Sequence, residues 1–101
     1  MDLLDVVAEP RRRAILRLVW EDELSSGEIA AGIPDVTWAA VSQHLGVLRD
    51  AGAVRERRAG TRRYYRADRK ALGPLRRVLT EMWEADLRHL ARQAGAEERR
   101  R

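Results

Sequence analysis

The 101-residue chain has no cysteine, which removes disulfides, thiolate metal sites, a cysteine nucleophile and thiol redox sensing together. It has only two histidines. It shows neither a glycine-rich phosphate cradle nor a paired acidic motif, so the chain is read as a non-enzyme that carries no cofactor. No apolar run approaches the roughly 20 residues of a membrane span, and the acidic start Met1-Asp2-Leu3-Leu4-Asp5 lacks the basic region of a signal peptide. A cytoplasmic protein without a membrane partner is therefore expected. Internal repeats, low-complexity tracts and linkers are missing from the sequence as well.

What is present is one domain's worth of chain, assigned to residues 1–96, followed by a charged tail, 97–101, expected to fray. A chain this short buries a small fraction of its surface, so an apolar stripe left over after folding points to a second subunit. The net charge is +4, from 20 Lys and Arg against 16 Asp and Glu. Its distribution says more than its size. Between Arg55 and Lys70 stand eight basic residues and two acidic ones, a local excess of +6 that leaves the remainder at −2. Such a concentration suits an anionic partner.

Local signals divide the chain. Leu3, Leu4, Val6 and Val7 form a short apolar helical patch that ends near Glu9, because a residue before proline avoids the helical region. Pro10 suits the first turn of a second helix, in which Ile15, Leu16, Leu18 and Val19 face inward while Arg11, Arg12, Arg13 and Arg17 stay wet. Ser25-Ser26-Gly27-Glu28 reads as a capping box opening a third, short helix that runs to about Ala31. Thr37 caps a fourth that stops at Gly52. The segments Val54–Arg58 and Arg62–Arg66, joined through Ala59-Gly60-Thr61, read as a two-stranded hairpin. Asp68 then caps a long last helix, restarted at Gly73-Pro74, with Leu75, Leu79, Met82, Leu87, Leu90 and Ala94 at helical spacing.

In the fourth helix Val41, Leu45 and Leu48 form the buried stripe, which turns Trp38, Ala39, Ser42, Gln43, Gly46 and Arg49 outward. A helix showing Ser, Gln and Arg can offer hydrogen bonds to base edges in a major groove, and the arginine-rich hairpin after it suits phosphate or the minor groove. The candidate DNA-facing set is Thr37, Trp38, Ala39, Ser42, Gln43, Arg49, Arg58, Arg62 and Arg63. Trp38 has two readings, contact with a thymine methyl or packing against the preceding helix. His44, on the apolar side, is read as structural, at the junction of helix and hairpin. Ser42 and His44 do not share a helix face and make no catalytic pair. Met82, Trp83 and the leucines of the last helix read as a packing seam between subunits.

These segments resemble the ArsR-type winged helix-turn-helix regulators. Glu9-Pro10-Arg11-Arg12-Arg13-Ala14-Ile15-Leu16 is similar to that family's entry into its second helix. Val41 to Gly52 resembles its recognition helix, and Gly60-Thr61-Arg62-Arg63-Tyr64-Tyr65-Arg66 its wing. The resemblance runs from about Leu3 to Ala94. It implies a mainly α fold with a small β-hairpin, in the order α-α-α-α-β-β-α. It also implies a homodimer joined through the first and last helices, at Leu3, Leu4, Val7, Leu75, Leu79, Met82, Trp83, Leu87 and Leu90, that represses transcription until a small-molecule inducer releases it. Three departures stand out, one being the stretch Ile33 to Thr37, which is one residue longer than the family pattern leads one to expect. Gly46 occupies a position where the family commonly has a basic residue, and the third helix reads Glu28-Ile29-Ala30-Ala31 where metal-sensing members carry cysteines. Asp86 and His89, at i and i+3, lack a second ligand pair, so no metal is expected. A rival reading is a winged-helix protein-interaction module without DNA affinity.

Overall fold

In the computed structural model, which describes residues 1–100, a helical body carries one small antiparallel sheet. The chain begins with α1 (Leu3–Ala8) and α2 (Pro10–Leu18), continues through β1 (Leu24–Ser25), α3 (Ser26–Ala31) and α4 (Trp38–Asp50), and enters β2 (Val54–Ala59) and β3 (Arg62–Ala67). A 3-10 turn at Gly73–Leu75 leads into α5 (Arg76–Arg100). The 97–101 tail departs from expectation, since α5 continues as helix through Arg100; Arg101 lies outside the described residues.

The entry into α2 shows how a short helix is held. α1 has six residues, so most of its carbonyls lack an intrahelical partner. Two arginines of α2 supply the donors. Arg12 Nε donates to the Val6 carbonyl at 2.8 Å, and Arg13 Nη1 donates to those of Val7 and Ala8, both at 2.9 Å. The other edge of the Arg13 guanidinium meets Asp86 of α5, through Nε at 3.0 Å and Nη2 at 2.8 Å. Arg13 is thus 8% exposed, which corrects the expectation of a solvated side chain. Four acceptors satisfy its charge inside the body, and without them burial of a guanidinium would be prohibitive.

The core gathers Ile15, Leu16 and Val19 of α2, Ile29 of α3, Leu45 and Leu48 of α4 and Leu79 of α5. Val7 and Leu79, expected at a subunit seam, are wholly buried within this one chain and have no surface to offer a second copy. Leu3 and Leu75 are half-buried against the same core. Trp83 is also drawn inward. Its Nε1 donates to the Arg13 carbonyl at 2.9 Å, and its ring meets Trp20 edge-to-face with centroids 5.4 Å apart. Buried indoles usually find such a polar partner.

The expected two-stranded hairpin is the larger part of a three-stranded sheet ordered β1-β3-β2. Leu24 pairs with Tyr65 and Ser25 with Tyr64, which ties the hairpin back to the entrance of α3. Because Ala59 pairs with Arg62, the turn is Gly60-Thr61 alone, and Gly60 takes the positive φ of 63° that a Gly-X hairpin turn needs. Among the described residues no helix is long and apolar enough to cross a membrane.

Candidate nucleic-acid interface

The helix-turn-helix is α3 and α4. The Ser25 Oγ accepts from the Glu28 N–H at 3.2 Å while the Glu28 carboxylate accepts from the Ser25 N–H at 2.9 Å, so the capping box is complete. Thr37 caps α4 by accepting from the Ala40 N–H at 3.2 Å. At the far end Gly52, with φ 79°, reverses the chain. Its N–H donates to the Arg49 carbonyl at 3.0 Å and the Ala53 N–H to that of Leu48 at 2.9 Å, a Schellman closure that aims β2 back along α4.

With Val41, Leu45 and Leu48 buried, α4 shows Trp38, Ala39, Ser42 and Gln43 to solvent. Trp38 is 60% exposed while the tip of its indole lies over Gly27 of α3, so it leans on the preceding helix and leaves most of its ring outward. An open cleft of about 570 Å³ runs between the start of α3, α4 and the tip of the hairpin. Trp38 and Ser42 line one wall of it, Arg62 and Arg63 the other. Gln43 and Arg49 stand outside this lining. His44 has a neighbour at α2 that the sequence alone does not name: its Nδ1 sits 4.0 Å from Glu9 at the cap of that helix.

Most of the arginines that make the hairpin basic are already engaged. Arg57 binds Glu23 at 2.6 Å and lies 4.7 Å over the Tyr64 ring, and its hydrogen bonds hold the Glu23 carboxyl below the ordinary glutamate range. Arg55 meets Asp68 at 3.1 Å, and Arg69 meets Glu21 at 3.5 Å. Glu56 receives Arg49 at 3.1 Å, Arg58 at 3.3 Å and the Tyr65 hydroxyl at 3.3 Å. Burial works against the Glu56 charge, yet hydrogen bonds from Arg49 and Arg58 and the nearby Arg63 charge outweigh it and keep the carboxyl below its ordinary range. Arg49 and Arg58, expected to face DNA, therefore each hold a carboxylate in the free protein. Among the described residues Arg62 and Arg63 enter no ion pair, and both are exposed at the hairpin tip. Counting charges along the sequence does not separate the two groups, since the partners Glu21 and Glu23 lie over 30 residues upstream.

Residues 7–57, about half the chain, match the helix-turn-helix domain family. The chain is 41% identical over 91 residues to the HTH-type transcriptional regulator Rv2034 of Mycobacterium tuberculosis, covering 90% of this chain and 84% of that one. The chain belongs to the ArsR-type winged helix-turn-helix family. It is also similar to a biofilm growth-associated repressor of Agrobacterium fabrum, 40% identical over 64 residues that span 63% of this chain and 54% of the relative. A crystal structure of a possible transcriptional regulator for arsenical resistance superposes with a TM-score of 0.69 at 39% identity, covering 92% of this chain and 96% of that one. As a member of this family the chain is a DNA-binding transcriptional regulator.

Asp86 of the Asp86–His89 pair has a structural role. Both Asp86 oxygens accept from Arg13, and no cluster of three metal-ligating side chains occurs among the described residues.

Proposed function

We propose that the protein is a cytoplasmic homodimeric repressor that reads its operator with α4, grips it with the wing tip, and is released by a small organic inducer and not by a metal. It acts by binding and not by catalysis. The observation carrying this reading is the cleft that sets Trp38 and Ser42 opposite Arg62 and Arg63. One wall offers an apolar ring and hydrogen-bonding groups to base edges, and the other offers exposed guanidinium groups, held in no ion pair among the described residues, to phosphate. Thr37, Ala39 and Gln43 extend the reading face along α4.

The dimer is supported by the far part of α5. Leu87 is 49% exposed, Leu90 60%, and Leu4 of α1 is 55% exposed. A helix stretch that packs on nothing in its own chain is marginal in water, and a second copy laid along it would cover these leucines together with Met82. For an inducer the candidate seat is a shallow groove of about 380 Å³ between α2 and α5, where Trp20, Trp83 and Leu87 supply apolar walls and Arg17 and Glu84 the polar ones.

The deciding experiment titrates operator and scrambled duplexes with two variants. Gln43→Ala should lose about 1–3 kcal/mol on operator and little on scrambled DNA. Replacing both Arg62 and Arg63 with alanine should weaken both duplexes. Sedimentation should give a dimer at micromolar concentration, and an 11.6 kDa species throughout that range would overturn the dimer.

A further inference from the structure

A carboxylate in a DNA-gripping wing ought to oppose binding, yet Glu56 is one of two acidic residues in the most basic segment of this chain. Its side chain is 11% exposed and holds three donors from three places. Arg49 comes from the last turn of α4. Arg58, two residues along β2, shares a face of the strand with Glu56. Tyr65 is its cross-strand neighbour on β3 and also lines the cleft beside Arg62 and Arg63. The Arg49–Glu56 contact thus spans the Gly52 reversal, the point about which the wing would pivot on the recognition helix.

We infer that Glu56 and Arg49 are positioning residues for DNA recognition: their ion pair fixes the angle between α4 and the wing, so that Arg62 and Arg63 reach the backbone while α4 lies in the groove. Neither residue needs to touch a base. The pair aligns two contact surfaces that are useful only at one separation, and operator DNA, which engages both at once, depends on that alignment more than scrambled DNA does. The inference rests on DNA contact through α4 and the hairpin tip.

The test has a sign that plain electrostatics reverses. An operator is selected from random duplexes by the wild-type protein. Wild type, Glu56→Gln, Arg49→Ala and the double variant are then titrated on operator and scrambled duplexes over a salt series, with unfolding midpoints recorded for each. Glu56→Gln removes a negative charge, so charge alone predicts tighter binding to every duplex. The positioning role predicts about tenfold weaker operator binding, scrambled binding unchanged or tighter, and an operator salt slope flatter by about 0.9 for each phosphate the misaligned wing no longer reaches. Arg49 is exposed, so its alanine variant keeps the fold; it should show the same operator-selective loss, and the double variant should be no weaker than either single one. Equal or tighter operator binding by Glu56→Gln overturns the inference. So does an Arg49→Ala variant that weakens both duplexes alike, which would make Arg49 a phosphate ligand. Should wild type itself show no salt-dependent binding, the functional reading falls and this inference with it.

Discussion

Two pairs of adjacent arginines, one in α2 and one at the hairpin tip, do opposite work. Arg12 and Arg13 point into the carbonyl end of α1, and Arg13 goes on to clasp Asp86 of α5. Arg62 and Arg63 stand at the wing tip, exposed and outside any ion pair among the described residues. The residue type is the same in both places, so the difference lies in what the fold sets opposite each guanidinium. Where it sets carbonyls and a carboxylate, the arginine is a structural clasp. Where it sets open cleft, the arginine remains available to an anion.

The largest effect that would break this contrast is on stability. Arg13→Ala should cost about 2–4 kcal/mol, because it leaves the Val7 and Ala8 carbonyls and the Asp86 carboxylate without their donor. Urea unfolding would show the midpoint falling, whereas Arg62→Ala with Arg63→Ala should stay within about 0.5 kcal/mol of wild type. Comparable losses from the two would erase the distinction. On DNA the ranking should invert: the double wing variant flattens the salt slope by about 0.9 per phosphate released on every duplex.

A smaller effect sharpens the structural side. Trp83→Phe keeps the ring against Trp20 but loses the Nε1–H bond to the Arg13 carbonyl, so about 1 kcal/mol of stability should go. An unchanged unfolding midpoint would show that the bond contributes nothing.

The smallest concerns acid. Glu23, Glu56 and Asp68 all have carboxyls held below their ordinary ranges in the folded wing. A depressed folded pKa contributes stability that is present above the ordinary range and lost as pH falls through it. Unfolding midpoints should therefore drop between about pH 5 and about pH 3, by a modest amount because the arginine partners of these carboxylates are exposed to solvent. If Glu56→Gln is as acid-sensitive as wild type, Glu56 is not among the groups responsible.

What can be read from the sequence is what is settled within a few residues. The Ser25–Glu28 capping box, the Thr37 cap, the Pro10 helix start and the apolar stripe of α4 depend on neighbours three or four positions away, and each is formed. The larger corrections involve distant partners. Arg13 meets Asp86 73 residues later, Arg57 meets Glu23 34 residues earlier, and the β1 pairing with β3 spans a comparable gap. A two-residue strand has no periodicity to detect, so Leu24–Ser25 is visible only once β3 lies beside it. Likewise the apolar spacing of α1 and α5 marks Val7 and Leu79 as facing something, while only the packed chain shows that this is their own core.

At the wing the same limit leaves a charge count without partners. The eight basic residues between Arg55 and Lys70 look alike along the sequence, and the fold holds four of them, Arg55, Arg57, Arg58 and Arg69, in ion pairs while Arg62 and Arg63 at the hairpin tip enter none among the described residues.

Whether the open arginines serve DNA is met most directly by one titration: wild-type protein on a random-sequence duplex, followed from about 50 to about 200 mM salt. The affinity should fall linearly with the logarithm of salt concentration, with a slope of several units that becomes about two units shallower when Arg62 and Arg63 are both alanine. Binding that does not respond to salt, or a slope that the double variant leaves unchanged, would contradict it.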